Sequence, residues 1–254
     1  MKIKEIYDYI DSFAPFSTQC EWDNSGLLIG EYDNEITKIG FALDADTGVI
    51  NDAISKNCDL IISHHPIIFR PLKRICDNDP VTVAIRNKIN IICAHTNLDK
   101  SDFGVNYVLA NTLGLRNIRR LETDSEANMC LIGDIDETTA NKFAGIVSEK
   151  LHTSVEFTRS ADRIKTVAVC GGAGGEFIYD LQGYADAFVS GEFSYHEMLD
   201  SDRLGITAFK AGHFETENPV IPYLLDKIKN EFDIECVSLN HYNHSYFIGV
   251  NNAN

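Results

Sequence analysis

The sequence predicts an α/β protein of two lobes with largely parallel sheets. Three observations predict it. Short apolar runs alternate along the chain with stretches of helical apolar spacing. Two runs, LII at 60–62 and IICA at 91–94, are continuous in apolar residues, as strands buried on both faces are. The polar stretch 122–127 then separates two such series. The expected division is a first lobe of residues 1–123 with 207–254, and a second of residues 124–206.

The elements follow in order. Ile3, Ile6, Tyr7, Ile10 and Phe13 share one helical face, and Pro15 ends that helix. Residues 21–35 form a turn-rich stretch around the apolar run Leu27–Ile29. Lys38–Leu43 reads as a strand, and Asp46 or Thr47 caps a helix to about Lys56. Asp59–Ser63 is a second strand. Asp79-Pro80 opens a helix to Asn87 with proline in its first turn. Ile89–Ala94 is a third strand, followed by a helix from about Val105 to Leu113 that Gly114 stops. In the second series Met129–Ile135 is a strand, Thr138–Leu151 a helix, and Thr166–Cys170 a strand running into GGAGG at 171–175. A helix, a strand at Ala187–Val189 and a helix at Tyr195–Asp200 come next. A strand end then leads through AGHFETENP to a helix entered at Asn218-Pro219, and Tyr246–Val250 closes the fold as a strand.

Bulk composition excludes several functions. The chain has 254 residues and 44% hydrophobic content, ordinary for a globular protein. Its 22 basic residues against 38 acidic ones leave a formal charge of −16, which argues against nucleic acid as a partner. No apolar run approaches the roughly 20 residues of a membrane helix. Glu5, Asp8 and Asp11 interrupt any apolar core near the N-terminus, so no signal peptide is read there and a cytoplasmic protein is expected. Seven cysteines without C-x-x-C spacing suggest reduced core thiols.

Chemistry concentrates where strands end, which is where open α/β sheets collect ligands. The strand at 59–63 ends in His64-His65-Pro66, and Pro66 holds His65 extended. Such a pair suits two metals, one metal and a substrate, or merely two hydrogen-bonded structural histidines. The strand at 89–94 ends in His95-Thr96-Asn97-Leu98-Asp99, which lands beside the histidine pair if the strands are parallel neighbours. His213 and Glu217 stand four apart in a turn, a spacing that brings both to one side if the turn is helical. His64, His65, Asp99, His213 and Glu217 are too many for one four-coordinate ion. They suit two divalent metals with a shared carboxylate and open positions. Nitrogen and oxygen donors without thiolate fit zinc, iron or manganese alike.

These motifs resemble the NIF-three-like dinuclear-metal family, whose bacterial members carry the label GTP cyclohydrolase I type 2 homologue. The resemblance rests on SHHP at 63–66, HTNLD at 95–99, GHFETE at 212–217, WDNSGLLIG at 22–30, GGAGG at 171–175 and SGEFSYH at 190–196. It implies a NIF-three-like architecture with the metal site between the lobes. It also implies that Asp99 joins one histidine on one metal and that Glu217 bridges. A toroidal homohexamer with its metal sites facing an internal cavity is expected on the same ground. His196 is then a pocket residue and a candidate acid–base, though a histidine at a helix start has the same sequence.

The leading expectation is a metal-dependent hydrolase of a small, nucleotide-like substrate, with His95 and His196 as catalytic proton-transfer groups. The alternative is a non-enzymatic metal-binding scaffold or regulator. Phosphoester hydrolysis shares the ligand set and would differ in releasing phosphate instead of formate. GGAGG matches neither dinucleotide nor P-loop spacing, so a tight turn is expected of it before an anion cradle. Trp22, Asp23 and Asn24 are expected to contact substrate or a neighbouring subunit, or simply to form a turn around one buried aromatic.

Overall fold

The structure, a computed structural model, describes residues 1–243. The strand expected at Tyr246–Val250 and His244 lie outside them. In the first lobe α1 (Ile3–Phe13) buries Ile3, Ile6 and Ile10 completely, as the helical spacing requires. After it come β1 (Gly26–Ile29), β2 (Lys38–Ala42), α2 (Thr47–Ser55), β3 (Leu60–Ser63), α3 (Pro80–Arg86) and β4 (Asn90–Cys93). Asp46 caps α2 by accepting from the Val49 amide, and Asp79 caps α3 by accepting from Val81. A single helical turn, α4 (Thr96–Asp99), and α5 (Val105–Thr112) follow.

The chain then enters a second sheet with β5 (Arg116–Arg120), β6 (Leu131–Thr138), α6 (Ala140–Leu151), β7 (Glu156–Phe157), β8 (Ile164–Cys170), β9 (Ala187–Ser190), α7 (Tyr195–Leu204), β10 (Thr207–Lys210) and the short α8 (His213–Glu217). Finally α9 (Val220–Glu231) and β11 (Glu235–Ser238) return to the first sheet, whose order is β1-β4-β3-β2-β11. There β2, β3, β4 and β11 run parallel, and β1 pairs antiparallel with β4. Every residue of β3 and of β4 is buried, which is why neither sequence alternates.

The second sheet, ordered β5-β6-β8-β9-β10-β7, is mixed rather than largely parallel. Its centre is parallel (β8-β9-β10), but β5, β6 and β7 all pair antiparallel. The strands β5 and β10 belong to the second sheet, so the sheets do not divide at the bounds expected for the lobes, residues 1–123 with 207–254 and residues 124–206. The polar stretch at 122–127 lies between β5 and β6, inside that second sheet. The strand β5 was illegible because it is an edge strand with three arginines and little burial, so no apolar alternation marks it.

Apolar residues fill both faces of each sheet. Phe41, Leu60 and Ile62 pack toward α1 and α9 on one face of the first, while Ile61 and Ile91 face α2 and α3 on the other. In the second, Val167, Val169 and Phe209 pack on α6, and Ala168, Phe188 and Ala208 face α7. All seven cysteines are free, five of them buried. Among the described residues no helix is long and apolar enough to cross a membrane.

Candidate metal centre

The strands β3 and β4 are adjacent and parallel, with Ser63 opposite Cys93. Their carboxyl ends therefore deliver His64, His65 and His95 to one place. Ring centroids lie 5.0 Å apart for His64 and His65, and 5.1 Å apart for His64 and His95. From the second sheet β10 ends next to β9, and α8 carries His213 and Glu217 across to them. The turn is helical, so the four-residue spacing does put both side chains on one side, with Glu217 Oε2 3.2 Å from His213 Nε2. The residues meet between the two sheets.

Each imidazole is oriented by an oxygen at Nδ1. His64 Nδ1 donates to the Ala94 carbonyl at 2.8 Å, an oxygen that can only accept. His65 Nδ1 meets Asp44 at 2.8 Å, His95 Nδ1 meets Asp23 at 2.7 Å, and His213 Nδ1 meets Glu192 at 2.7 Å. With Nδ1 so engaged, all four rings turn Nε2 inward. This is the arrangement by which carboxylates and carbonyls fix metal-ligating histidines.

The inward atoms do not satisfy one another. His64 Nε2 lies 3.6 Å from Asp99 Oδ1 and 3.7 Å from Glu217 Oε1, too far for hydrogen bonds. Glu217 Oε2 is 2.9 Å from His65 Nε2 and 3.2 Å from His213 Nε2. Yet both His64 Nε2 and Glu217 Oε2 are buried without a hydrogen-bonding partner among the described residues. Buried polar atoms normally have partners. Here they converge on one another, and a divalent cation fits such a set of nitrogen and oxygen atoms. Two overlapping sets have ligand atoms within 4.8 Å of one another: His64, His65 and His95, and His65, His213 and Glu217. His95, read as a proton-transfer group, thus stands among the inward-facing ligand atoms. Asp99 approaches the first set through His64.

Electrostatics agree with cation binding. Burial opposes a charged His65, but Asp44 and Glu217 raise its pKa to about 10. His213 is likewise disfavoured by burial and raised to about 9 by Glu217 and Glu192. Burial pushes Glu217 up, yet the imidazoles of His213, His64 and His65 hold it well below the usual carboxylate range. For Asp99 burial wins, and its pKa is raised. Burial also opposes a charged Asp23, but His95 and Thr96 hold it down. The negative potential that retains protons on these rings is the potential a divalent ion would occupy in their place.

The partners at Nδ1 were largely unread in the sequence. Asp44 sits just past β2 and meets His65 only because β2 pairs with β3. Glu192 stands in the SGEFSYH stretch, in the turn after β9. Asp23, expected with Trp22 and Asn24 either to contact substrate or a neighbouring subunit or to form a turn, holds His95 and the Thr96 amide. We expect Asp44→Ala to weaken metal binding by roughly 10- to 100-fold, because His65 loses the group that orients it. Competition with a chelator measures this, and an unchanged affinity would remove Asp44 from the site.

His196 is not brought to the cluster. Ser194 caps α7, accepting from the Glu197 amide while its own amide donates to the Glu197 carboxylate. That capping box places His196 in the exposed first turn, its ring against Tyr195 and off the cavity wall. GGAGG is a close-packed turn, not a cradle. Gly172 has φ +64°, and a Cβ there would collide with Glu217 Oε1. His241 bonds the Leu239 carbonyl and Asn218 and plays no part in the cluster.

The clustered side chains open on a cavity of about 460 Å³, in the range of small-molecule sites. His65, His95, Asp99, His213 and Glu217 line its floor, and Trp22 and Phe69 line its wall.

Comparison with known proteins agrees with the two-sheet fold. A family profile described as Duf34/NIF3 (NGG1p interacting factor 3) matches residues 1–244. A Campylobacter jejuni protein named GTP cyclohydrolase 1 type 2 homolog is 34% identical over 236 residues, covering 91% of this chain and 93% of that protein. One of the same name from Clostridium acetobutylicum is 32% identical over 241 residues, 90% of each. Among solved structures, the Staphylococcus aureus hypothetical protein SA1388 matches with a TM-score of 0.86 at 29% identity, over 98% of this chain and 99% of that one. Reduced HcgD from Methanocaldococcus jannaschii matches with a TM-score of 0.83 at 28% identity, over 95% and 98%.

Proposed function

The chain belongs to the Duf34/NIF3 family, and on that premise we propose that it holds two divalent metal ions and uses them to hydrolyse a small, nucleotide-like substrate. The observation that carries this is the buried Glu217 carboxylate. One oxygen faces His64 and the other faces His65 and His213, with a cavity open beside them. A carboxylate so placed suits a bridge between two ions, with zinc, iron and manganese all compatible with the donor set. When bound, such ions supply Lewis-acid polarisation and a water acidic enough to ionise near neutral pH.

The chain's own residues do the rest. Asp44, Glu192 and the Ala94 carbonyl fix the ligand rings. His95, held at Nδ1 by Asp23, presents Nε2 to the cavity, where it can ligate or pass a proton. Trp22 and Phe69 wall the cavity with aromatic surface. The relatives' cyclohydrolase label points to ring opening of a nitrogen heterocycle with release of formate. The same reading has the chain assembling as a homohexamer around the sites.

Metal content measured on protein purified without added metal or chelator tests the centre, with about two ions per chain expected. Product analysis tests the reaction: formate supports ring hydrolysis, and phosphate alone supports phosphoester hydrolysis instead. Failure to take up zinc, iron or manganese on anaerobic reconstitution would remove the hydrolase reading.

A further inference from the structure

The cavity beside the histidine cluster is walled by aromatic rings and lined by carboxylates. Trp22 and Phe69 meet edge to face, their centroids 5.9 Å apart, and both remain about half exposed. Trp22 is fixed from two sides: His95 lies 6.1 Å from its ring, and its Nε1 donates to Glu126 Oε1 at 3.2 Å. Two positioned aromatic faces beside an open cavity suit a planar ring, whatever its sequence of atoms. Glu126 and Glu176 face the same space. Ionised carboxylates accept hydrogen bonds and donate none, so they favour a ring edge that carries N–H donors.

Charge narrows the choice further. Among the described residues neither lysine nor arginine lines this cavity. Its four carboxylates, Asp99, Glu126, Glu176 and Glu217, would bring two divalent ions to formal neutrality. No positive charge is then left for a polyphosphate tail, which is ordinarily met by arginine, lysine or a glycine-rich turn. The glycine-rich turn here is packed against Glu217. Lys210 lines the adjoining cavity, but among Glu176, Glu192, Glu197 and Glu215.

We infer that the cavity takes an unphosphorylated, amino-bearing planar heterocycle, a guanine-type base or nucleoside, gripped by Trp22 and Phe69 and read by Glu126. This rests on the metal-centre reading above and names its substrate class. Trp22 and Phe69 set affinity, and Glu126 sets preference for the amino group.

Trp22 is the chain's one tryptophan, so its emission reports on this cavity alone. Metal-loaded protein is titrated with guanosine, with inosine (which lacks the amino group) and with GTP. Guanosine is expected to quench saturably. Inosine should bind roughly ten-fold more weakly, having lost a hydrogen bond to a charged acceptor, and GTP at least about ten-fold more weakly, its phosphates meeting no cation. Phe69→Ala should cost guanosine about ten-fold through lost stacking, and Glu126→Gln should abolish the preference over inosine. Metal content of the same preparation separates the two levels. A loaded protein that guanosine does not quench, or that prefers GTP, overturns the substrate class and leaves the metal centre standing. A protein that takes up no metal overturns both.

Discussion

Glu217→Gln should strip the protein of bound metal. Glutamine keeps the shape of the side chain but loses its charge and one of its two acceptor oxygens. Glu217 is the side chain that reaches His64, His65 and His213 together. Removing a group that merely orients a ligand costs about 10- to 100-fold in affinity. Losing a carboxylate that faces three imidazoles should exceed the upper end of that range, and both ions should be lost together. Elemental analysis reads the result, with Glu149→Gln on the exposed face of α6 as the charge control. The fold should survive, since glutamine fills the same space. If the variant retains one full equivalent of metal, Glu217 serves a single ion and does not bridge. Retention of both equivalents would mean the cluster is not the metal site.

The residues that cluster between the sheets are legible in the sequence for a topological reason. Buried parallel strands must be apolar until they emerge, so the first polar residues after LII and IICA mark a ligand-bearing edge. His64, His65 and the His95–Asp99 stretch stand out that way, with His95 read as a proton-transfer group and Asp99 as a ligand, and His213 with Glu217 stand out by helical spacing. Asp44 and Glu192 carry no such mark. Each is one acidic residue among 38, and its role depends on which strands become neighbours. His196 shows the opposite failure. It too follows a buried strand, β9, but the Ser194–Glu197 capping box starts a helix one residue earlier and turns it outward. The sheets do not divide where the polar stretch lies, because composition marks exposure and not sheet membership. Residues 122–126 are a mostly exposed link between two strands of one sheet, while the chain crosses from the first sheet to the second through α4 and α5.

Three glycine-to-alanine changes should then separate packing at the centre from backbone propensity. Gly145 lies on the exposed side of α6 with nothing within 4 Å of a new Cβ. Alanine there should stabilise the protein by about 0.5–1 kcal/mol, because a helical glycine gives up more unfolded-state freedom. Gly191 is the reverse case. A Cβ would sit 2.6 Å from the Gly172 carbonyl oxygen and 2.7 Å from His213 Cα. Both obstacles are backbone, so α8 must move away from β9. A loss of about 1–3 kcal/mol or more is expected from overpacking, with His213 displaced. Gly172 falls between. Its left-handed backbone penalises alanine by about 1–2 kcal/mol, but the atom it strikes is the end of the Glu217 side chain. The chain should fold, and Glu217 should be pushed out of reach of His64. Gly172→Ala is therefore expected to melt at a modestly lower temperature while losing most of its bound metal, whereas Gly145→Ala keeps all of it. Thermal melting and metal content on the three variants give the comparison. Full metal retention by a folded Gly172→Ala would show that Glu217 tolerates displacement. The glycine turn would then be a packing feature of the second sheet, with no hold on the metal centre.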